Sequence, residues 1–229
     1  MKVLIIIPAY NEQENILNTI ADIERHCPDV DYVVINDCSK DGTEKVLRQN
    51  GCNYLSLPCN LGIGGGVQTG YRYARDNGYD IAIQFDGDGQ HEARYLPDLI
   101  AALASGEADV AIGSRFVKKE GFQSSGIRRF GINFLSSLIH LLCGVRVLDV
   151  TSGMRAVNRR FIELYAESYA QDYPEPEAII AAAMKGAKIV EVPVQMRERQ
   201  GGTSSINAFR SVYYMIKVSL ALILARFSA

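Results

Sequence analysis

The feature that most constrains this chain is a regular alternation of short apolar runs and helical patterns through its first half. Runs typical of buried strands lie at residues 2–7, 31–36, 53–57, 80–85 and 109–113. Segments with apolar residues at helical spacing lie between them, at 12–26, 41–47, 66–76 and 94–104. This alternation predicts an α/β fold with a mostly parallel central sheet and helices on both faces.

The second half is less regular. We predict helices over 127–143, 159–168 and 177–186, and strands near 145–149, 153–157 and 188–192. Pro174 and Pro176 are expected to interrupt the chain before the helix at 177–186. The sequence shows neither a repeat nor a long linker, so we predict one catalytic domain over 1–205 and a C-terminal helix over 206–229.

Composition excludes several classes of protein. The chain has 229 residues, enough for one sizeable core, and a net charge of −2, which argues against a whole-surface nucleic-acid binder but not against a local basic patch. Its five cysteines include no Cys-x-x-Cys pair, so neither a disulfide framework nor a zinc ribbon is indicated. The apolar run at 3–7 is too short for a signal peptide, and we expect a cytoplasmic protein with reduced thiols.

A carboxylate pair follows the strand predicted at 80–85. Asp86 and Asp88 flank Gly87, and residues two apart in an extended stretch point the same way, so the two carboxylates can converge on one cation. Oxygen ligands of this kind suit Mg²⁺ or Mn²⁺ shared with substrate phosphates. The plainer alternative is a pair of turn-forming acids. For His91 we favour a solvated side chain over a further ligand.

Two more polar loops follow the first and second predicted strands, and all three loops should open on one edge of the sheet. Glu12 and Asp37 could accept hydrogen bonds from a ribose or a base, and Tyr10 could pack on the ring. Asp41 is read instead as a helix cap. The glycine-rich stretch 62–66 is a weak dinucleotide fingerprint and favours close helix–sheet packing beside a nucleotide.

These motifs occur together in a recognisable order. The set comprises Pro8-Ala9-Tyr10-Asn11-Glu12, Asn36-Asp37-Cys38-Ser39-Lys40-Asp41-Gly42-Thr43, Asn60-Leu61-Gly62, Asp86-Gly87-Asp88 with Gln90, and Gly113-Ser114-Arg115. It resembles glycosyltransferase family 2, with its GT-A (nucleotide-diphospho-sugar transferase) fold. The later segments 149–155 and 197–204 resemble the polyprenyl- (dolichyl-) phosphate sugar transferase branch of that family.

The resemblance implies an inverting, metal-dependent hexosyltransferase. It implies a nucleoside site and, through Asp86 and Asp88, a site for the cation and the donor diphosphate. The implied nucleotide-sugar residues are Pro8, Tyr10, Glu12, Asp37, Gly62, Asp86, Gly87 and Asp88. Asn36 departs from the family, which commonly has an acid there. The donor is a UDP- or GDP-sugar, and the sequence does not choose between them.

The acceptor decides what else the protein must supply. A lipid phosphate has a second pKa of about 6 and needs arginines to position it, whereas a sugar hydroxyl needs a general base. Candidates for binding the acceptor or the diphosphate are Arg115, Arg128, Arg197, Arg199 and Ser204, with Arg129 beside them. Asp149 is the candidate base, or a residue that orients the acceptor or an arginine, and Arg155 is grouped with it as catalytic. The loop at 197–205 is expected to close over the donor.

Polyprenyl phosphate is the favoured acceptor. One alternative is a glycosyltransferase that acts on a saccharide hydroxyl in cell-surface glycan synthesis. Another is a non-catalytic subunit that binds a nucleotide sugar. Hydrolase triads are disfavoured because the chain has three histidines and no Gly-x-Ser-x-Gly elbow.

The C-terminal segment bears on location. Residues 212–225 are nearly all apolar but fall short of the ~20 residues that a spanning helix needs. We expect an amphipathic helix in the membrane interface, with Arg210, Lys217 and Arg226 at lipid headgroups, and a peripheral protein on the inner face of the cell membrane. The alternative is a helix packed on the protein's own core or on a partner, such as a small membrane protein.

Overall fold

A computed structural model of the chain describes residues 1–118, 126–197 and 208–228, without the side chains of 127, 128, 208–214 and 228. The strands are β1 (Val3–Ala9), β2 (Asp31–Asn36), β3 (Tyr54–Ser56), β4 (Ile81–Gln84), β5 (Val110–Ser114), β6 (Arg155–Asn158) and β7 (Ile189–Pro193). The helices are α1 (Ile16–His26), α2 (Thr43–Gln49), α3 (Gly62–Asp76), α4 (Leu96–Ala104), α5 (Gly126–Cys143), α6 (Arg159–Glu167), α7 (Pro174–Met184) and α8 (Ala208–Ser228).

The strands form one sheet in the order β3-β2-β1-β4-β6-β5-β7. Every pairing in it is parallel except those of β6, which is antiparallel to both β4 and β5. The prediction of a mostly parallel sheet is confirmed. The strands β2 and β3 extend the sheet on one side of β1, and the chain then crosses back to place β4 on the other side. This reversal of strand order creates a crevice at the carboxyl ends of β1, β2 and β4.

Both faces of the sheet are covered, as predicted. Along β1, Leu4 and Ile6 enter the core on the face of α3 and α5 to α8, whereas Ile5 and Ile7 enter the core on the face of α1, α2 and α4. All four side chains are fully buried. The period-2 alternation of side chains lets one continuous apolar run supply both cores, which is why this strand lacks polar residues.

Three predicted elements differ from the structure: the strand at 145–149, the start of α7 and the glycine-rich stretch before α3. Residues 145–149 are not a strand, because the backbone N–H groups of Leu148 and Asp149 donate to the Glu191 carboxylate instead of a sheet neighbour. Helix α7 begins at Pro174 instead of after Pro176, since proline is tolerated in the first turn of a helix, where an N–H has no intrahelical partner.

The glycine-rich stretch lies inside α3 and not in a turn before it. Close packing explains its glycines. A Cβ on Gly64 would lie 2.3 Å from the carbonyl oxygen of Ala170, and a Cβ on Gly70 would lie 2.1 Å from Cγ2 of Ile6. The tertiary contact overrides the low helix propensity of glycine here.

Helix α8 packs on α5 and α7 through the fully buried Val218 and Leu222. Arg226 Nε donates to the carbonyl of Leu142 at the end of α5, at 3.0 Å. No helix in the described parts of the chain is long and apolar enough to cross a bilayer. The division at residue 205 stays a prediction.

Candidate functional site

A cleft of about 430 Å³ opens at the carboxyl ends of β1, β2 and β4. Its walls are the loops that follow these strands, the start of α3 and the start of α7. It is lined by Pro8, Ala9, Tyr10, Glu12, Asp37, Asn60, Gly62, Ile63, Gly66, Asp86, Gly87, Asp88 and Glu175. All eight residues predicted for the nucleotide sugar are in this set, so the structure brings together residues spread over eighty positions of sequence.

The loops after β1 and β2 are tied to each other. The Asn11 side chain accepts from the backbone of Lys40 at 2.8 Å, and the Asn11 N–H donates to Oγ of Ser39 at 3.0 Å. Asn11 and Cys38 both adopt left-handed backbone conformations, with φ of 58° and 56°. Such conformations are costly for residues other than glycine and persist where surrounding contacts enforce them, commonly at functional sites.

Asp37 and Asn36 have different roles. The Asp37 carboxylate lines the cleft and accepts from the backbone N–H of Leu61 at 2.7 Å, which ties the second loop to the start of α3. The Asn36 amide is buried and donates to Ser56 on the neighbouring β3 at 2.9 Å. Asn36 therefore links two strands, and Asp37 is the acid presented to the cleft.

Asp86 is a fixed and ionised carboxylate. Its Oδ1 accepts from Nε2 of Gln84 at 3.2 Å, and its Oδ2 lies 3.3 Å from Nε2 of His91. Burial raises the pKa of Asp86, but the hydrogen bond and charge of His91, the Gln84 amide and the Arg155 charge lower it more strongly in sum. The pKa therefore lies below its ordinary value, and the group is charged at neutral pH.

Asp88 lies two residues on, and its Oδ1 accepts from the backbone of Gln90 at 3.1 Å. Both aspartates line the same cleft. Within the described ranges, no group of three or more His, Cys, Asp or Glu is placed to hold a metal ion. Two carboxylates that share a cation with substrate phosphates fit this arrangement, as Mg²⁺ commonly binds.

Glu175 is a cleft residue that the sequence reasoning missed. It lies in the first turn of α7, and burial, together with the charge of Asp86, raises its pKa, although Arg155 opposes the shift. The sequence signal was the pattern Pro174-Glu175-Pro176-Glu177, since prolines and acids are both favoured in a first helical turn. Only the tertiary placement of the start of α7, where the Glu175 carbonyl accepts from Arg155, brings Glu175 near Asp86.

Asp149 and Arg115 form a sealed ion pair and do not line the cleft. Arg115 donates through Nε and one terminal nitrogen to the two oxygens of Asp149, at 2.7 Å each, and also through its backbone N–H. The Asp149 side chain has no exposed surface. Of the roles considered for Asp149, the geometry favours orienting an arginine over acting as a base.

Arg155 is also buried. Its guanidinium donates to the backbone carbonyls of Ser152, Val150 and Glu175, which ties the 149–153 segment to the start of α7 beneath the cleft. Its charge lowers the pKa of Asp86 and that of Glu175. Arg155 therefore acts on the cleft through the electrostatic effect of its charge on these two carboxyl groups and through its hydrogen bonds to the backbone.

The remaining predicted cations are dispersed. Arg197 lies beside a small polar pocket behind Asp88, with a terminal nitrogen 3.8 Å from both Asp22 and Glu92. Arg129, on α5, lies over the Phe116 ring at 3.4 Å from the ring centroid. Arg199, Ser204 and the side chain of Arg128 lie outside the described residues, as does most of the loop at 197–205.

His91 is buried, with 3% of its surface exposed, so the expectation of a solvated histidine was wrong. Its backbone pairs with Met196, and the Arg197 N–H donates to the carbonyl of Gln90 at 2.9 Å. This pairing covers the histidine with a segment more than 100 residues away in sequence. No local pattern signals that contact.

A doubly covered, mostly parallel sheet with two aspartates in a cleft beside its first strand is the arrangement of the GT-A class of glycosyltransferase folds. The sequence comparisons agree with this class. The chain belongs to glycosyl transferase family 2, whose family pattern matches residues 4–165, more than half of the chain.

Several known proteins are similar to this chain. An undecaprenyl-phosphate mannosyltransferase of Micrococcus luteus is 32% identical over 217 residues, covering 90% of this chain and 88% of the relative. A UDP-N-acetylglucosamine–dolichyl-phosphate N-acetylglucosaminyltransferase of Methanococcus voltae is 28% identical over 246 residues, covering 97% and 98%.

Among solved structures, the fold is similar to that of glucosyl-3-phosphoglycerate synthase from Mycobacterium tuberculosis, determined with Mn²⁺, UDP-glucose and phosphoglyceric acid. The TM-score is 0.74 and the identity 20%, with 98% of this chain and 79% of that chain covered. This likeness confirms the GT-A fold.

Proposed function

We propose that this glycosyltransferase moves a sugar from a UDP- or GDP-sugar to polyprenyl phosphate at a membrane surface, with Mg²⁺ or Mn²⁺ held by Asp86 and Asp88. The observation that carries the proposal is the single cleft in which both aspartates meet the nucleoside-binding loops. The relatives named for undecaprenyl-phosphate and dolichyl-phosphate transfer support the acceptor. The neighbour crystallised with Mn²⁺ and UDP-glucose supports the donor and the cation.

On the donor side, the half-exposed Tyr10 lies at the mouth of the cleft, where its ring can pack on a base. Glu12 and Asp37 line the same part of the cleft, and carboxylates there can accept from ribose hydroxyls or from base N–H groups. The diphosphate then lies toward Asp86 and Asp88. Two acids alone would repel it, so a divalent cation is the natural bridge between them.

When bound, that cation neutralises charge that develops on the departing diphosphate. The chain's own contribution is to keep Asp86 ionised and fixed in orientation through Gln84 and His91. Transfer forms a bond between an acceptor oxygen and the anomeric carbon. The bond from that carbon to the diphosphate oxygen breaks, and the electron pair leaves with the nucleoside diphosphate.

Arg129, which lies on the same aromatic ring as the Arg115–Asp149 pair, supports a phosphate acceptor. The guanidinium carbons of Arg115 and Arg129 lie 5.1 Å and 3.4 Å from the centroid of the same Phe116 ring. A terminal nitrogen of Arg129 is buried and has no hydrogen-bond partner among the described residues, and Asp149 fixes the orientation of Arg115. Guanidinium groups suit phosphate oxygens, and an ionised phosphate needs no strong base.

Membrane association is supported by two helices that each keep an apolar stripe exposed. On α5 the stripe is Phe130, Phe134 and Leu141, and on α8 it is Ile216, Leu220, Ile223, Leu224 and Phe227. Exposed apolar stripes on adjacent helices are unusual for a surface that meets only water. These stripes support binding to a membrane surface, and the inner face of the cell membrane is the part of the proposal that follows from the expected cytoplasmic location.

The test is product formation by the purified chain. The protein is incubated with Mn²⁺ or Mg²⁺, a panel of UDP- and GDP-sugars, and either a short polyprenyl phosphate or an oligosaccharide. We expect a glycosylated polyprenyl phosphate from one donor and no product after chelation of the metal. A product on the oligosaccharide alone would replace the proposed acceptor, and absence of transfer with every donor would overturn the catalytic assignment.

Flotation with anionic vesicles tests the location. Replacing Leu220 and Leu224 by glutamate should abolish vesicle binding, whereas replacing the exposed Ala101 and Ala104 of α4 by glutamate adds the same charge and should not. Equal binding by both double variants would contradict a role for the α8 stripe.

A further inference from the structure

The carboxylate of Asp86 is enclosed on three sides. Gln84 donates to Oδ1 from the end of β4, and His91 lies at Oδ2 from the far side of the loop. The third side is Gly153, where an added Cβ would lie only 2.0 Å from Oδ2. This enclosure leaves the carboxylate one orientation, with 31% of the side chain exposed toward the cleft.

His91 is itself held firmly. Its ring lies against Phe85, with ring centroids 5.6 Å apart, and its backbone pairs with Met196. Nδ1 is buried without a hydrogen-bond partner among the described residues. A carboxylate that binds a cation is deprotonated and can only accept, so in that state Nε2 of His91 must carry the proton that lies between the two groups.

We propose that His91 is a positioning residue, which donates its Nε2–H to Asp86 Oδ2 and fixes the carboxylate in the orientation that binds the divalent cation. The inference rests on the proposed function, since it assumes that Asp86 binds the cation. Groups that orient a metal-binding carboxylate commonly change metal affinity about 10- to 100-fold when they are removed.

The competing explanation is that His91 only fills space beneath the loop. The two roles make different demands on the side chain. Packing against Phe85 needs a flat ring, which phenylalanine supplies. Donation to Asp86 needs an N–H near the position of Nε2, which the amide of glutamine can supply without a ring.

Two variants therefore separate the roles, H91F and H91Q, with Mn²⁺ binding in the presence of UDP or GDP as the readout. Electron paramagnetic resonance of free Mn²⁺ measures the dissociation constant without any need for turnover. We expect binding by H91F to weaken about 10-fold or more and binding by H91Q to stay within about 3-fold of the unaltered chain. Thermal unfolding of the metal-free variants gives the cost of altered packing.

Wild-type affinity in H91F would overturn the proposal, and so would an H91Q variant that loses as much affinity as H91F. If either variant fails to fold, nitrogen-15 spectra of the histidine ring in the unaltered chain decide the question. The proposal requires a protonated Nε2, and an unprotonated Nε2 would refute it. Failure of the unaltered chain to bind Mn²⁺ with either nucleotide would instead count against the proposed function.

Discussion

Two aspartates at the same edge of the sheet have opposite environments. Asp86 follows β4 and keeps 31% of its side chain exposed toward the cleft, held by the uncharged Gln84 and by His91. Asp149 precedes β6 and is fully buried against Arg115, which binds both of its oxygens. One carboxylate is oriented but left accessible, and the other has its charge fully paired.

The difference shows that a carboxylate's use depends on what already binds it. An accessible acid held by weak donors can still accept a cation, whereas a sealed ion pair contributes to stability or to the orientation of its partner. Substitutions in the two environments should therefore change different quantities. Those around Asp86 should change catalysis, and those around Asp149 should change folding.

The largest effect is expected from replacing Asp86 and Asp88 together by alanine. Loss of both cation-binding acids should reduce transfer by on the order of 10³-fold, the scale of losing charge stabilisation at a reacting centre. The melting temperature should change little, because both side chains are partly exposed. Replacing the exposed Asp98 of α4 by alanine is the matched control. Normal turnover by the double variant would show that Asp86 is not a catalytic carboxylate, and the contrast with Asp149 would then have no functional meaning.

The next effect is expected from Gly153→Ala. The new methyl group would overlap Oδ2 of Asp86 and push the carboxylate aside. We expect turnover to fall about 100-fold, as misplacement of a reacting group by about 1 Å can cost. Gly126→Ala, where the added carbon meets no atom of the described residues within 4 Å, is the control. Turnover within about twofold of the unaltered chain would show that the carboxylate can move without loss.

Asp149→Asn should chiefly change stability. It leaves the Arg115 charge buried without its partner, and breaking such a pair costs about 3 kcal/mol of the free energy of unfolding. Denaturant unfolding measures this cost, and D149L combined with R115M should recover most of the lost stability. An unchanged stability with a severe loss of turnover would instead make Asp149 the catalytic base.

Glu175→Gln should have the smallest effect with a phosphate acceptor. Burial raises the pKa of Glu175, which makes it the cleft carboxylate best suited to take a proton from a hydroxyl. An ionised phosphate offers no such proton, so we expect less than about 10-fold loss of turnover with polyprenyl phosphate.

With a saccharide acceptor, Glu175→Gln should lower turnover about 10²- to 10⁴-fold. Turnover by the unaltered chain should then rise with pH as Glu175 loses its proton. Glu167→Gln, at the exposed end of α6, is the control. The ratio of the two effects therefore discriminates between the acceptors. Asp149→Asn cannot do so, since its buried ion pair would confound the result.

The donor half of the site could be predicted from sequence because its signals are local. Loops that follow β1, β2 and β4 meet at one edge wherever these strands are parallel. All eight predicted nucleotide-sugar residues consequently line the cleft, although their roles remain predictions.

The other half could not be predicted in the same way. The strand predicted at 145–149 failed because Glu191, a side chain from β7, replaces the sheet as hydrogen-bond acceptor. Glu175 was missed because its nearness to Asp86 depends on how α7 packs, and the burial of His91 depends on Met196. Each of these contacts joins segments distant in sequence, and local periodicity carries no information about them.

The sequence by itself determined the alternating architecture, the apolar strands and the acids at their ends, because side-chain period and parallel topology follow from local pattern. Only the tertiary structure decided which charged groups are open and which are sealed. Which groups are open and which are sealed depends on helices and strands from remote parts of the chain. Burial and ion pairing determine the charge and the accessibility of a carboxylate, and both are properties of the packed molecule.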